Sequence, residues 1–355
     1  MKAEKGTKAV PSSQGLSSKS RLLTKLREKQ GAPISGTVLA KGLGISRVAV
    51  WKTVQALAEA GYSIETTDAG YLLDPKKEKD FLYPWEFGKN ETRFFHYKNT
   101  SSTMDRAREL ALKNTPGGTI ITAERQSAGR GRNGRTWVSR HGGLFFTILE
   151  RPHLALADYT LLSLIMQIAV VRTVSLFCGK KAYLRWPNDI YINKRKIAGI
   201  TTEISGEGDL INWLSIGVGV NVNNPTPSGK TTSIAEVTGR LFSRRKVLSK
   251  ILDEMERAKK SFASTAAYSQ GSRAIADEWN SLADCIGAKA AVFEPDPGRE
   301  NYPIDKPGRI LARGIFAGID PAGRCILKTD GGKGNLYFNQ GSVSLAFLNT
   351  GKRVT

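Results

Sequence analysis

The chain has 355 residues, with 53 Lys and Arg against 32 Asp and Glu and a formal net charge of +21. Hydrophobic residues make up 40% and aromatics 8%, which supplies cores for two to three domains and excludes a chain disordered throughout. The 36 glycines follow no fixed period, which excludes a collagen-like repeat.

Cys178, Cys285 and Cys325 are far apart and in no CxxC spacing, and His96, His141 and His153 form no ligand pattern. Neither a disulfide framework nor a zinc site is expected. The apolar run 161–171 is interrupted by Ser163 and Gln167 and falls short of the ~20 residues of a membrane helix. No apolar stretch follows the basic N-terminus, so no secretory signal is expected. The expectation is a cytoplasmic protein with no membrane partner. A pI near 9.9 points to polyanionic partners.

Residues 1–19 read as a basic disordered arm. From Ser20, Leu22, Leu23 and Leu26 space as one helical face, stopped by Gly31-Ala32-Pro33. Ser35 caps a second helix carrying Val38, Leu39 and Leu43. Ser46 caps a third over 47–60, with Val50, Val54 and Leu57 inward. Two short alternating runs, 62–66 and 70–73, read as a hairpin. Three helices and a hairpin make a winged helix-turn-helix over 20–74. Its third helix offers Arg47, Trp51, Lys52 and Gln55 to DNA. A protein-interaction module is the competing reading. Residues 75–92, with Pro75, Pro84 and a Lys-Lys-Glu-Lys run, read as a linker.

An α/β stretch follows. Strands are expected at 93–98, 118–123, 144–149, 182–186, 189–192, 197–204 and 213–222. Helices are expected at 104–113, 158–178, 246–262 and 272–282. Beyond Gly287, short strand-like runs separated by Gly, Pro and Asp suggest a small all-β barrel, with 295–307 as a charged, Pro-rich loop.

Three stretches carry chemistry. In 123–137, AERQSAGRGRNGRTW, Gly129, Gly131 and Gly134 alternate with Arg130, Arg132 and Arg135 after a predicted strand. Glycines let the backbone approach a ligand and form an anion-binding nest; the arginines add forked donors for phosphate or carboxylate. In 185–200, RWPNDIYINKRKIAGI, Asn188 and Asp189 sit at a turn, with Lys196 and Gly199 within one hairpin's reach; taken alone, an ordinary hairpin with a solvated basic tip is an equal reading. In 216–223, IGVGVNVN, Gly217 and Gly219 interrupt a strand before Asn221, a mark of close approach by a ligand.

In this order, with SSTMD at 101–105 preceding them and a small β domain after, these motifs resemble the bifunctional biotin–protein ligases that also act as biotin-operon repressors. The resemblance spans about Ser20 to Leu345. It implies an α+β chain. Its parts are a winged helix-turn-helix, a central mixed-sheet α/β ligase domain of the biotin/lipoate ligase type over 93–284, and an SH3-like β-barrel over 285–350. The implied reaction forms biotinyl-5′-AMP from biotin and ATP with Mg2+. Biotin is then transferred to a lysine of a biotin carboxyl carrier protein, an acetyl-CoA carboxylase subunit.

By the same resemblance, Ser102, Thr103, Gln126, Gly129, Arg130, Arg132, Lys196, Gly199 and Gly217 hold biotin. Arg132, Arg135, Trp137, Asn188, Asp189, Lys196 and Asn221 serve ATP. Lys196, Arg132 and Asp189 carry the catalysis, with Asp189 left between orienting Mg2+ and taking the acceptor lysine's proton. The implied regulation is dimerisation of the adenylate-bound form through central-sheet edges, followed by operator binding. The Gly/Arg loop is expected to become ordered only with the adenylate.

Several positions depart from the pattern. Asn133 stands where Arg is common, Arg185 replaces a Lys, and Ser342 and Ala346 lack the charges of a familiar terminal domain. Two alternatives remain: a ligase whose winged helix does not regulate transcription, and a non-catalytic biotin-sensing repressor. A lipoate ligase lacks the GRGRxGR and WPND pairing.

Overall fold

The computed structural model describes residues 7–8, 16–132, 134–152, 154–155, 159–227, 229–263, 268–294, 309–329, 334–340 and 343–347. The chain divides into two compact units. One spans Lys5–Tyr97 with Ser243–Arg245; the other spans Lys98–Phe242 and Lys246–Thr355.

In the first unit, β1 (Thr7–Lys8) lies in the expected N-terminal arm and pairs antiparallel with Phe95 and His96. The rest of that arm up to residue 15 lies outside the described residues. α1 (Ser18–Glu28), α2 (Gly36–Leu43) and α3 (Arg47–Glu59) begin on Ser17, Ser35 and Ser46. Each serine accepts a bond from the amide three residues on, at 3.1–3.2 Å. This satisfies one of the amides a helix start leaves unpaired. Leu22, Leu23, Leu26, Leu39, Leu43, Val50, Val54 and Leu57 close one core. Val38, expected with the apolar residues of α2, is 61% exposed.

The hairpin is β2 (Ile64–Thr67) and β3 (Gly70–Leu73). Gly70 has φ +128°, and a Cβ there would collide with the Ile34 carbonyl. Only glycine lets Ile34 and Tyr71 exchange both backbone hydrogen bonds, each at 2.9 Å.

The expected linker is a packed segment in its second half. Residues Pro84–Arg93 form a kinked 3-10 stretch that buries Trp85, Glu86 and Phe87. Trp85 Nε1 donates to Tyr62 Oη at 3.0 Å. Arg27 donates to Glu86 at 2.9 Å, and the Tyr62 hydroxyl also donates to it. A buried carboxylate is tolerated because it is paired and hydrogen-bonded. The overlooked signal was Phe81, Tyr83, Trp85 and Phe87 at every second position.

β4 (Phe94–Thr100) contains the division between the units. The second unit follows with α4 (Thr103–Leu112), β5 (Thr119–Gln126), β6 (Leu144–Glu150), α5 (Thr160–Cys178), β7 (Tyr183–Arg185), β8 (Asp189–Ile192), β9 (Arg195–Glu207) and β10 (Leu210–Val220). Its strands lie in the order β5-β6-β10-β9-β8-β7, antiparallel throughout. α4 packs against β5, β6 and β10, and α5 against β7, β8 and β9. α5 is apolar on all sides, as a helix enclosed by protein should be. It is long and apolar enough to cross a membrane, but 78% of its apolar window is buried inside this unit.

α6 (Ile234–Thr238), not anticipated, precedes α7 (Arg244–Ala263) and α8 (Tyr268–Leu282). The C-terminal strands β11 (Lys289–Phe293), β12 (Ile310–Ile319), β13 (Cys325–Thr329), β14 (Asn335–Phe338) and β15 (Ser344–Phe347) form one antiparallel sheet, ordered β14-β13-β12-β11-β15. This antiparallel sheet is consistent with the expected small barrel-like domain; among the described residues no pairing joins β14 to β15, so no closed barrel is seen. The expected boundary near 285 does not separate two compact units. Asn280 on α8 brackets the Ile319 backbone by two hydrogen bonds of 2.9 and 3.0 Å. The loop 295–307 and Ser342 lie outside the described residues.

Candidate active site

Strand register builds the floor of a cavity in the second unit. Directly opposed residues share a face of an antiparallel sheet. One row runs Phe145, Gly219, Gly199, Asp189, Arg185; the row beside it runs Thr147, Gly217, Thr201. Glycine in adjacent strands leaves a trough above the sheet. The cavity over it measures about 530 Å3. A Cβ at Gly217 would stand 2.6 Å from the Met104 sulfur, and one at Gly199 would stand 2.9 Å from the Trp137 ring. At Gly219 a Cβ would collide with the same indole.

A polar cluster forms one end. Ser102 caps α4 and accepts from the Met104 amide at 3.2 Å. Gln126 Oε1 accepts from the Thr103 amide at 2.8 Å and from its hydroxyl at 3.1 Å. Gln126 Nε2 donates to Ser139 Oγ at 2.8 Å. Thr147 Oγ1 donates to Thr103 Oγ1 at 2.8 Å. Thr147 and Ser139 were missed. The sequence signal for Thr147 was a single hydroxyl in the otherwise apolar, buried strand LFFTIL.

The Gly/Arg loop folds back on itself as a flap. Arg130 bridges Thr136, Gln126 bridges Ser139, and the Trp137 amide donates to the Gly129 carbonyl at 2.8 Å. Two of its arginines take separate partners. Arg130 pairs with Asp105 at 2.6 Å. Arg132 donates to the Val343 carbonyl at 3.3 Å and to the Gln340 carbonyl. Burial depresses the Arg132 pKa below the usual guanidinium value, against the pull of Asp189. Arg135 lines the cavity with its side chain exposed. Asn133 lies outside the described residues.

Lys196 Nζ is 2.7 Å from Asp189 and 5.3 Å from the centre of the Trp137 ring. Trp137 Nε1 is buried with no hydrogen-bond partner among the described residues. Asn188 lines the cavity, but its amide donates to the Ile200 carbonyl, locking the turn to β9.

Two expected contacts are absent from the cavity wall. Asn221 is buried, donating to the Thr232 carbonyl at 3.1 Å and accepting from Asn224 at 3.0 Å. Gly129 sits beneath the flap, where a Cβ would stand 2.5 Å from the Trp137 carbonyl oxygen. Both hold the frame of the site. Arg185 lines the wall, but its guanidinium pairs with Asp284 at 3.1 Å and lies over the Tyr191 ring at 4.3 Å. Burial pushes the Tyr191 phenol up to about 12, with Asp189 adding to it. Glu294 and β15, including Ala346 and Phe347, complete the wall. Ala346, where the family pattern carries a charge, thus falls on this wall.

Residues 97–221 match the profile of the Biotin/lipoate A/B protein ligase family, and residues 19–72 match that of an HTH domain. The bifunctional ligase/repressor BirA of Bacillus subtilis (strain 168) is 37% identical over 231 residues, covering 62% of this chain and 71% of that protein. The chain belongs to the biotin–protein ligase family. A second relative, the biotin–[acetyl-CoA-carboxylase] ligase of Paracoccus denitrificans, is 30% identical over 243 residues, covering 66% of this chain and 93% of that protein. The biotin protein ligase from Aquifex aeolicus, solved in complex with biotin and ATP, superposes with a TM-score of 0.58 at 25% identity, covering 72% of this chain and 99% of that one. Both polar ends of the cavity in this family member fall on motifs of the family stretch, at 102–103 and 188–196.

Proposed function

We propose that this chain is an ATP-dependent biotin–protein ligase that also acts as a biotin-responsive repressor. The observation that carries the ligase reading is the trough over Gly199, Gly217 and Gly219, with Thr103 and Gln126 at one end and Lys196 and Arg132 toward the other. Thr103 and Gln126 suit a ureido group, which offers both donors and an acceptor. Lys196 and Arg132 face the two anions of the first step, a carboxylate and a triphosphate.

In that step a carboxylate oxygen of biotin attacks the α-phosphorus of ATP. The bond to the bridging oxygen breaks and pyrophosphate leaves with the electron pair. The acceptor lysine's neutral amine then attacks the acyl carbon, the acyl–oxygen bond breaks, AMP leaves with the electron pair, and the nitrogen's proton passes to solvent. Bringing two anions together needs fixed cations, and positioning with charge stabilisation is most of the catalysis. Lys196 exchanges its Asp189 partner for the carboxylate and α-phosphate. The nucleotide lies toward Arg135, Trp137, Asn188 and Asp189. Asp189 and Glu294 are carboxylates on the cavity wall, and they fit a Mg2+ held jointly with substrate phosphates. That ion neutralises phosphate charge.

The acceptor is a biotin carboxyl carrier protein. β8 covers β9 only as far as Gly199, which leaves the Thr201–Glu207 edge to a carrier strand or a second copy of the chain. Arg47, Trp51, Lys52 and Gln55 are all exposed on α3, which supports operator binding. The test is pyrophosphate release from ATP with biotin, with lipoate as control, followed by transfer to a biotin carrier domain. Biotin-dependent release with transfer is expected. Release without transfer would favour a sensor that makes its own corepressor, and no biotin-dependent release would overturn the ligase reading.

A further inference from the structure

The winged-helix unit carries an apolar feature that phosphate contacts do not explain. Across 18–60, eight Lys and Arg stand against two Glu, a net charge of +6. Within this stretch, on α3, Val48 is 62% and Trp51 51% exposed. They are three residues apart on α3, so they are neighbours on one face of the helix. Inward-pointing Val50, Val54 and Leu57 already fill the core, so packing does not require either side chain. Val48 and Trp51 form one wall of a groove of about 580 Å3 between α3 and the β2–β3 hairpin. Ser35, Thr66, Thr67 and Tyr71 also line it, with one cation, Arg47, and one carboxylate, Asp68.

An exposed apolar pair on a helix of a net basic stretch, beside hydroxyl-bearing residues, fits a duplex edge that is itself partly apolar. The major groove presents one such group, the 5-methyl of thymine. We propose that Val48 and Trp51 form a thymine-reading surface, contacting the 5-methyl groups of the bound duplex. The inference rests on the DNA-binding part of the proposed function. Arg47 and Lys52 hold phosphates and set the register, while the apolar pair supplies sequence preference. A protein partner seated on the same wall is the competing occupant; the +6 charge favours the polyanion.

The test uses the full chain with biotin, ATP and Mg2+. Duplexes are selected from a random library, and each thymine of the selected site is then replaced by deoxyuridine, which removes only the methyl. Burying one methyl-sized group is worth ~0.8 kcal/mol, about a fourfold change in affinity. Affinity is expected to fall about fourfold at each contacted thymine. The Val48→Ser/Trp51→Ala double variant, whose changes are exposed, is expected to bind more weakly and to lose that response. Thermal unfolding of the variant checks that the helices remain. Selected duplexes indifferent to deoxyuridine overturn this inference alone, as does a double variant that keeps the full response. Failure to select any duplex overturns the DNA reading and this inference together.

Discussion

Lys196 and Asp189 neutralise one another at 2.7 Å in the cavity wall. The cation that the chemistry needs is therefore stored beside a carboxylate and delivered when anions arrive. Lys196→Ala is expected to lower biotin-dependent pyrophosphate release by roughly 10^2–10^3, the usual cost of one preorganised charge; a rate within a few fold of the parent would remove its assigned role. Glycine makes the second residue-level argument. A methyl at Gly219 collides with the Trp137 indole, which has to leave the trough. Gly219→Ala is expected to cost roughly 1–3 kcal/mol of stability by overpacking. In a pyrophosphate assay it raises the KM for ATP more than Arg135→Ala does, because it displaces a whole wall of the nucleotide site.

At the scale of elements, α3 and the flap divide the work of binding anions differently. Arg47 and Lys52 lie exposed on a capped, well-packed helix, so their charges act on a long polyanion through counterion release. The Arg47→Ala/Lys52→Ala double variant is expected to weaken operator binding across sequences. It should also reduce the slope of log affinity against log salt by about 2. An unchanged slope in gel-shift titrations at several salt concentrations would contradict phosphate contact. Two of the flap's arginines, Arg130 and Arg132, instead hold internal partners, Asp105 and the carbonyls of Gln340 and Val343. A ligand anion must compete with these partners for Arg130 and Arg132.

Across the whole molecule, the three cysteines report on packing. Burial pushes the Cys178 thiol up to about 11 and the Cys285 and Cys325 thiols up to about 12, from an ordinary value near 9. A thiol whose pKa is raised on folding favours the folded state fully below the unfolded value. That contribution is lost as pH rises through the folded one. Thermal unfolding temperature is therefore expected to fall from pH 9 to pH 12, with Cys285→Ser/Cys325→Ser showing a shallower decline. Alkylation of the native chain at pH 8 is expected to be slow and to become rapid on unfolding, since the buried thiols are neither ionised nor accessible.

Local patterning determined most of the elements: the three capped helices, the hairpin, and the strands that bear the motifs. Their signals lie within a few residues of one another, in apolar spacing, capping serines and glycines. Motif order likewise indicated the family and most of the cavity's polar residues. Tertiary structure alone decided which of those side chains remain free for a ligand. Asn221 and Gly129 sit in the right motifs yet turn to the frame, and Arg185 is drawn to Asp284, far along the chain. Packing of the 84–93 segment and entry of β15 into the cavity wall were also decided there. Cross-strand register and the partners of buried charges depend on residues brought together from distant positions, and one-dimensional spacing carries no record of that distance.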